Sequence, residues 1–175
     1  MSGAVIKRLV VLGVVAALVG GLVGFAYWWT HPTLFRSVGF DLAYYRPVAV
    51  STGEVTAGVL VPFQDNGGAV ITLRNATVNF AAGSARASAT FAICDGDPVG
   101  LIVTPTTPHC TRIGGLPGRI DLTSRGAQTL LMSVRPTSAG VVRITSISVS
   151  YREGSDHLWR QGSETLPITL TFTAR

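Results

Sequence analysis

The stretch TLPITLTF, residues 165–172, decides the fold class, because apolar and polar residues alternate along it. Successive side chains of a strand point to opposite faces, so this alternation predicts a strand with one face in a core and the other in water. The apolar members of the stretch are Leu166, Ile168, Leu170 and Phe172. The same two-residue period recurs at residues 38–44, 85–93 and 130–134, which predicts an all-β domain.

Two further segments change the phase of this alternation part-way along. In residues 71–80 the apolar positions pass from odd to even numbers, and in residues 142–151 they pass from even to odd. A one-residue slip moves side chains to the other face of a sheet, so each segment requires a bulge, a turn or a strand that crosses between sheets. Short strands at this spacing predict an immunoglobulin-like, two-sheet β-sandwich, with a small closed barrel as the alternative.

Two local features refine this topology. Pro167 has no N–H to donate to a neighbouring strand, so we expect the last strand to lie at a sheet edge. The sequence QDNGG, residues 64–68, lies between two apolar runs and is typical of a hairpin loop.

The N-terminal part of the chain contains an uncharged apolar run, residues 9–29. As a helix this run would reach about 32 Å, which matches a bilayer core of about 30 Å. The sequence therefore predicts four parts: a cytoplasmic N-terminus at 1–8, a transmembrane helix at 9–29, a tether at 30–37 and an extracytoplasmic domain at 38–175.

The flanks of the apolar run predict its orientation. Lys7 and Arg8 precede it, and no acidic residue occurs before Asp41, so the positive-inside rule places the N-terminus in the cytoplasm and the domain outside. Three aromatic residues at the other end suit the lipid headgroup level; they are Tyr27, Trp28 and Trp29. The alternative is a cleaved signal peptide, which would also export the domain.

The apolar run also carries two series of small residues at four-residue spacing. Small side chains let membrane helices approach closely, so we expect a contact face for a second copy or for a partner helix. The residues of this face are Gly13, Ala17, Gly20, Gly21 and Gly24. The alternative is that these residues reflect the ordinary composition of membrane helices.

Cys94 and Cys110 are the two cysteines of the chain, and both fall in the part predicted to be exported. Disulfides form and persist in such compartments, so we expect a disulfide that closes the loop between them. The alternative joins the two thiolates with His109 and nearby aspartates into a site for copper or zinc, or a redox site. The spacing matches no common ligand motif, so the sequence predicts no metal ligand.

No other constellation indicates chemistry. The formal net charge of +5 is spread without a basic run, so we expect no nucleic-acid binding. No local motif marks a nucleophile, and the nine acidic residues are scattered, so the sequence predicts no catalytic residue, no cofactor and no enzymatic activity. Trp159 and Arg160 are residue types enriched in binding sites, and we expect them at a surface contact.

The layout of anchor, tether and Thr/Val-rich sandwich resembles membrane-anchored, exported immunoglobulin-like proteins of G+C-rich Gram-positive bacteria. This resemblance covers the whole chain, carries no specific motif and assigns no residue. We therefore expect a non-catalytic interaction module whose partners are the bilayer and another protein of the membrane or envelope. The alternatives are a module that binds cell-wall polymers or other anionic ligands, and the metal or thiol-redox protein.

Overall fold

A computed structural model describes residues 3–30, 35, 39–60, 70–96, 100–102, 109–121, 128–154 and 161–175 of the chain. These residues form one N-terminal helix and two β-sheets, so the predicted all-β class behind an apolar helix is confirmed. The elements are α1 (Gly3–Thr30), β1 (Phe40–Val48), β2 (Val55–Leu60), β3 (Val70–Phe80), β4 (Ala87–Gly96), β5 (Leu101–Ile102), β6 (Cys110–Gly115), β7 (Gly118–Asp121), β8 (Gln128–Pro136), β9 (Gly140–Glu153), β10 (Gln161–Leu166) and β11 (Ile168–Ala174).

Helix α1 contains an apolar segment, Val11–Trp28, with a mean hydropathy of 2.0. None of these 18 residues is buried by the rest of the chain. The segment is long and apolar enough to cross a membrane, although an N-terminal signal sequence has the same length and composition.

The strands are divided between a six-stranded and a five-stranded sheet. In the first sheet the order is β1-β11-β9-β3-β7, and β10 pairs with the second half of β9. In the second sheet the order is β5-β2-β8-β4-β6. The β1–β11 pair is parallel and the other pairs of described strands are antiparallel.

One hydrophobic core contains side chains from both sheets, which makes the fold sandwich-like. Leu130 and Met132 of β8 enter it from the five-stranded sheet, and both are fully buried. Ile71, Ile144 and Phe172 enter it from the six-stranded sheet. Burial of such side chains stabilises the fold by about 1.5–3 kcal/mol each, so the packing of one sheet on the other is the main source of stability.

The predicted phase changes are bulges inside two long strands. The pairing of β3 with β9 shifts between Leu73 and Asn75, and again between Asn79 and Phe80. At each shift one strand contributes an extra residue, so the apolar side chains on both sides of the bulge still face the core. Both strands therefore remain continuous and stay within one sheet.

The expectation that the last strand lies at an edge is wrong. β11 lies between β1 and β9, and the edge position belongs to β1. Pro167 falls between β10 and β11, where the register against β9 moves by one residue. Its missing N–H therefore lies at a break in the ladder, which is the other position that a sheet allows to proline.

The hairpin expected at residues 64–68 is also wrong as a connection, and the loop itself lies outside the described residues. β2 and β3, which flank it, belong to different sheets. Turn-forming residues predict that the chain reverses direction, but they carry no information on which sheet receives the next strand.

We predict that Gly162→Ala destabilises the fold by about 1–3 kcal/mol, the usual cost of overpacking a core. A Cβ at this buried glycine would lie 2.6 Å from Cε2 of Tyr151, whose ring is itself buried. The measurement is the free energy of urea unfolding of the full-length protein in detergent. Gly114→Ala is the matched control, because its Cβ would meet nothing within 4 Å. Equal stabilities of the two variants would contradict the prediction.

Candidate functional site

The chain that leaves α1 is attached to the domain at Phe35. This residue lies in the predicted tether, yet its side chain is only 5% exposed and belongs to the core. Its ring meets that of Tyr151 edge to face, with centroids 5.2 Å apart. Its backbone N–H donates to the Glu164 carboxylate, at 3.1 Å from Oε2, and the Tyr151 hydroxyl donates to the same carboxylate.

This attachment limits the distance between the helix and the domain. α1 ends at Thr30, so five peptide steps connect it to Phe35. A fully extended chain gains at most about 3.6 Å per step, so Cα of Phe35 lies within about 18 Å of the helix end. The elements next to Phe35 are the end of β9 and the start of β10, so this end of the domain lies at the attachment point of the chain that leaves α1.

No described residue covers the predicted contact face of α1. At 3.6 residues per turn its five small residues fall within an arc of about 100° on the helix surface. A Cβ added at any of its glycines, Gly13, Gly20, Gly21 and Gly24, would meet nothing within 4 Å. The structure places these residues together on one face; their contact with another helix stays a prediction.

The predicted interfacial aromatic residues lie at the C-terminal end of α1. Tyr27 and Trp28 are 66% and 63% exposed. Trp29 belongs to the last turn of the helix, and its side chain lies outside the described residues. Trp159 and Arg160, the predicted surface contact, also lie outside them, so this expectation stays a prediction.

A cavity of 640 Å³ lies on the outer face of the six-stranded sheet, close to the end of β9. We call it the arginine cavity after its three cationic residues; its lining consists of Val70, Thr72, Arg74, Pro117, Arg119, Arg152 and Gly154. Thr72 pairs with Arg119 on one side and Arg152 on the other, which places the three side chains in one row across β7, β3 and β9.

Arg74 is the third cation of the arginine cavity. It lies two residues beyond Thr72 on β3, so its side chain projects from the same face of the sheet. Its Nη1 donates to Oε1 of Gln161, at 3.3 Å. The cavity thus gathers residues from β3, β7 and β9, and Gln161 at the beginning of β10 is hydrogen-bonded to one of them.

The cations of the arginine cavity lack acidic partners in the described part of the chain. The two salt bridges found there involve Arg112 and Arg135, and neither of these lines the cavity. Nε of Arg152 is buried and has no hydrogen-bond partner among the described residues. A buried donor without an acceptor costs free energy.

The two cysteines lie at disulfide distance, as expected. Their Sγ atoms are 2.05 Å apart and join β4 to its neighbour β6 at the edge of the five-stranded sheet. A bonded pair offers no thiolate to a metal. Among the described residues no group of three or more His, Cys, Asp or Glu side chains is arranged to hold a metal ion.

Next to the disulfide, Asp95 is held in a polar network. Nε2 of Gln128 donates to its Oδ1 at 2.7 Å, and Nε of Arg112 donates to its Oδ2 at 2.6 Å. The hydrogen bond from Gln128, followed by the bond and charge of Arg112, lowers the pKa of the Asp95 carboxyl below its usual value of 3.8, against an opposing effect of burial. Arg112 is 78% exposed, so the ion pair itself adds little stability.

Sequence reasoning missed the residues of the arginine cavity as a group. Arg74, Arg119 and Arg152 are far apart in the chain, and each is an unremarkable outward-facing residue of a strand. Along the sequence, the only feature that distinguishes Arg152 is its position directly after Tyr151 at the end of a long strand. The pairing of β3 with both β7 and β9 brings the three together, and the sequence contains no signal for that pairing.

Comparison with known proteins adds no assignment. No protein-family model matches the chain, and a search of curated proteins finds no match either.

We predict that the double substitution Cys94→Ala/Cys110→Ala lowers the free energy of unfolding by about 3 kcal/mol, because an open loop of this length regains conformational entropy in the unfolded state. The measurement is urea unfolding of full-length protein without reductant. Wild-type protein treated with reductant under the same conditions should lose a similar amount. A double variant as stable as the oxidised wild type would contradict the prediction.

We predict that Gln128→Ala raises the pKa of Asp95 towards 3.8, since it removes the largest cause of the lowered value. Because the pKa of Asp95 is lower in the folded state, its carboxylate stabilises the fold at pH values above the pKa of the unfolded state. This stabilisation is lost as the pH falls through the folded-state pKa. The variant should therefore lose less stability than the wild type between about pH 4 and pH 2.

The test of this prediction is the titration of the Asp95 carboxyl carbon by NMR, together with unfolding free energies at each pH. Gln161→Ala is the control, because its partner is Arg74 and not Asp95. An unchanged or lower midpoint in the Gln128 variant would show that another group sets the pKa.

Proposed function

We propose that this protein is a membrane-anchored, non-catalytic interaction module. In this proposal α1 spans the membrane once with its N-terminal side in the cytoplasm, and the β-domain lies on the extracytoplasmic side. The domain and the helix bind another protein of the membrane or envelope, as an accessory subunit of a larger complex.

The observation that carries this proposal is the uncovered helix. Large apolar side chains along Val11–Trp28 are between 51% and 69% exposed, and the β-domain has its own closed core. Contiguous apolar surface of this extent marks contact with lipid or with another protein. The basic residues before the segment and the aromatic residues at its end support the proposed orientation.

We also propose that the domain is immunoglobulin-like, on the basis of strand order. β2, β8 and β4 are neighbours in one sheet, as strands B, E and D are in that fold. β3, β9 and β11 are neighbours in the other, as strands C, F and G are. The disulfide departs from the antibody pattern, because it joins β4 to β6 within one sheet instead of linking the two sheets.

Two alternatives rest on other parts of the molecule. The arginine cavity favours the binding of an anionic ligand, and it supports the interaction module only if that ligand belongs to the partner or to the membrane. The metal or thiol-redox function requires the cysteines as thiols, so titration of free thiols in native protein discriminates it. A fully oxidised pair would exclude the thiolate form.

The test of the interaction module compares two variants with the same substitution. Ala17 belongs to the small-residue face of α1, and Ala26 lies nine residues further on, which is two and a half turns and hence the opposite face. We expect a partner that co-purifies with the full-length wild type in mild detergent to be lost from Ala17→Leu and retained by Ala26→Leu. A leucine on the first face separates the helices, whereas on the second it only meets lipid.

Two results would contradict the proposal. Release of the full-length protein from membranes by alkaline carbonate would show that α1 is no anchor. Migration of the wild type as a lone monomer, with no co-purifying protein identified by mass spectrometry, would remove the accessory-subunit role.

A further inference from the structure

We propose that the arginine cavity binds the phosphate group of an anionic phospholipid, in the bilayer that holds α1. This inference rests on the proposed function, since it requires α1 to span the membrane. It adds a ligand and a binding site on the domain that the interaction module does not require.

The charge of the cavity selects an anion. Arg119 and Arg152 flank Thr72 in register across three neighbouring strands, and Arg74 reaches the same space from the bulge of β3. Three guanidinium groups around one cavity repel each other, and no described carboxylate lies within salt-bridge distance of them. Asp121 and Glu153 are the acidic residues next along β7 and β9, and neither lines the cavity.

The guanidinium groups of the cavity suit an oxygen acceptor. Arg74, Arg119 and Arg152 line the cavity, and none of them forms a salt bridge with a described residue. A phosphate presents several oxygens to a guanidinium and accepts two parallel hydrogen bonds from it. The hydroxyl of Thr72, in the middle of the row, adds a donor of the kind that phosphate sites use.

The position of the cavity selects a lipid as the source of the phosphate. Tyr151 contacts Phe35, and Arg152 is the next residue along β9, so the cavity lies at the end of the domain nearest to α1. The connection from Thr30 to Phe35 is at most about 18 Å long, which keeps this end close to the headgroups. The cavity volume of 640 Å³ is that of a small-molecule site, suited to one headgroup rather than to a polymer strand.

A matched set of cations lies at the opposite end of the domain. Arg143 is near the start of β9. Arg86 lies beside that start, because its neighbour Ala85 is hydrogen-bonded to Val141. Arg46 lies beside the end of β11. All three are exposed, like Arg74 and Arg119. They provide an internal control of equal charge and different location.

The experiment measures binding of dioctanoyl phosphatidylglycerol to the full-length protein in a neutral detergent by titration calorimetry. We expect saturable binding by the wild type that weakens as salt rises, and none of dioctanoyl phosphatidylcholine. The variant R74Q/R119Q/R152Q should lose affinity by about ten-fold or more, because it loses the charge-assisted hydrogen bonds. The control R46Q/R86Q/R143Q removes the same three charges from a chain of net charge +5 and should bind as the wild type does.

Single variants keep the test valid if the triple variant fails to fold. Arg119→Gln alters an exposed residue of a short edge strand and should weaken binding about three-fold or more. Arg152→Lys keeps the charge but lacks the planar guanidinium that forms two parallel hydrogen bonds with a phosphate, so it should weaken binding of phosphatidylglycerol. Equal binding by Arg152→Lys and wild type would contradict recognition of the phosphate by the guanidinium group.

Four results would overturn the proposal. Equal losses in the two triple variants would show a dependence on net charge alone. Equal binding of phosphatidylcholine, which carries the same phosphodiester and acyl chains but no net charge, would show that the cavity does not select an anionic phospholipid. Glycerol 1-phosphate binding as tightly as phosphatidylglycerol would assign the cavity to a soluble phosphate. Binding of a soluble anionic wall polymer at the cavity, by protein that does not bind phosphatidylglycerol, would assign the cavity to that polymer.

Carbonate extraction separates failure of this inference from failure of the proposed function. Protein that resists extraction but does not bind phosphatidylglycerol is an anchored module without this lipid site. Protein that carbonate releases has no anchor, and the lipid proposal fails with it.

Discussion

The placement of the functional surfaces depends on the contacts of the buried Tyr151 side chain. Gly162 leaves room for its ring, the Glu164 carboxylate accepts a hydrogen bond from its hydroxyl, and the Phe35 ring packs against it edge to face. Because the N–H of Phe35 donates to the same carboxylate, a single partly buried group joins the core, β10 and the chain that leaves α1. These contacts hold Phe35 in the domain five residues after the end of α1. They therefore limit the distance between the domain and the helix.

This attachment makes the two ends of the domain physically different. The end near α1 carries Arg74, Arg119 and Arg152 around one cavity without described acidic partners. Elsewhere Arg112 and Arg135 are paired with acids and serve the surface of the five-stranded sheet. A cluster of cations without described acidic partners is stabilised by an external anion or by water that screens the charges.

The disulfide and the arginine cavity belong to different sheets and serve different purposes. Cys94 is fully buried with Leu131 in a small cluster separate from the main core, and the bond to Cys110 secures the edge strand β6. The arginine cavity lies on the outer face of the six-stranded sheet. Removal of the disulfide therefore acts on stability, while charge changes in the cavity act on binding, and the two effects are separable by experiment.

The sequence by itself determined the apolar helix, the all-β class, the positions of the two phase changes and the cysteine pair, because each depends on a local period or on a short separation along the chain. The structure decided that the two phase changes are bulges. Only the tertiary structure decided that Pro167 lies at a break inside the sheet, that the strands flanking residues 64–68 part into different sheets, and that Phe35 enters the core. It alone brought Arg119 beside Thr72 and Arg152. Strand partners and register are set by how distant segments pack around a shared core, and a single strand carries its face pattern but not the identity of its neighbour.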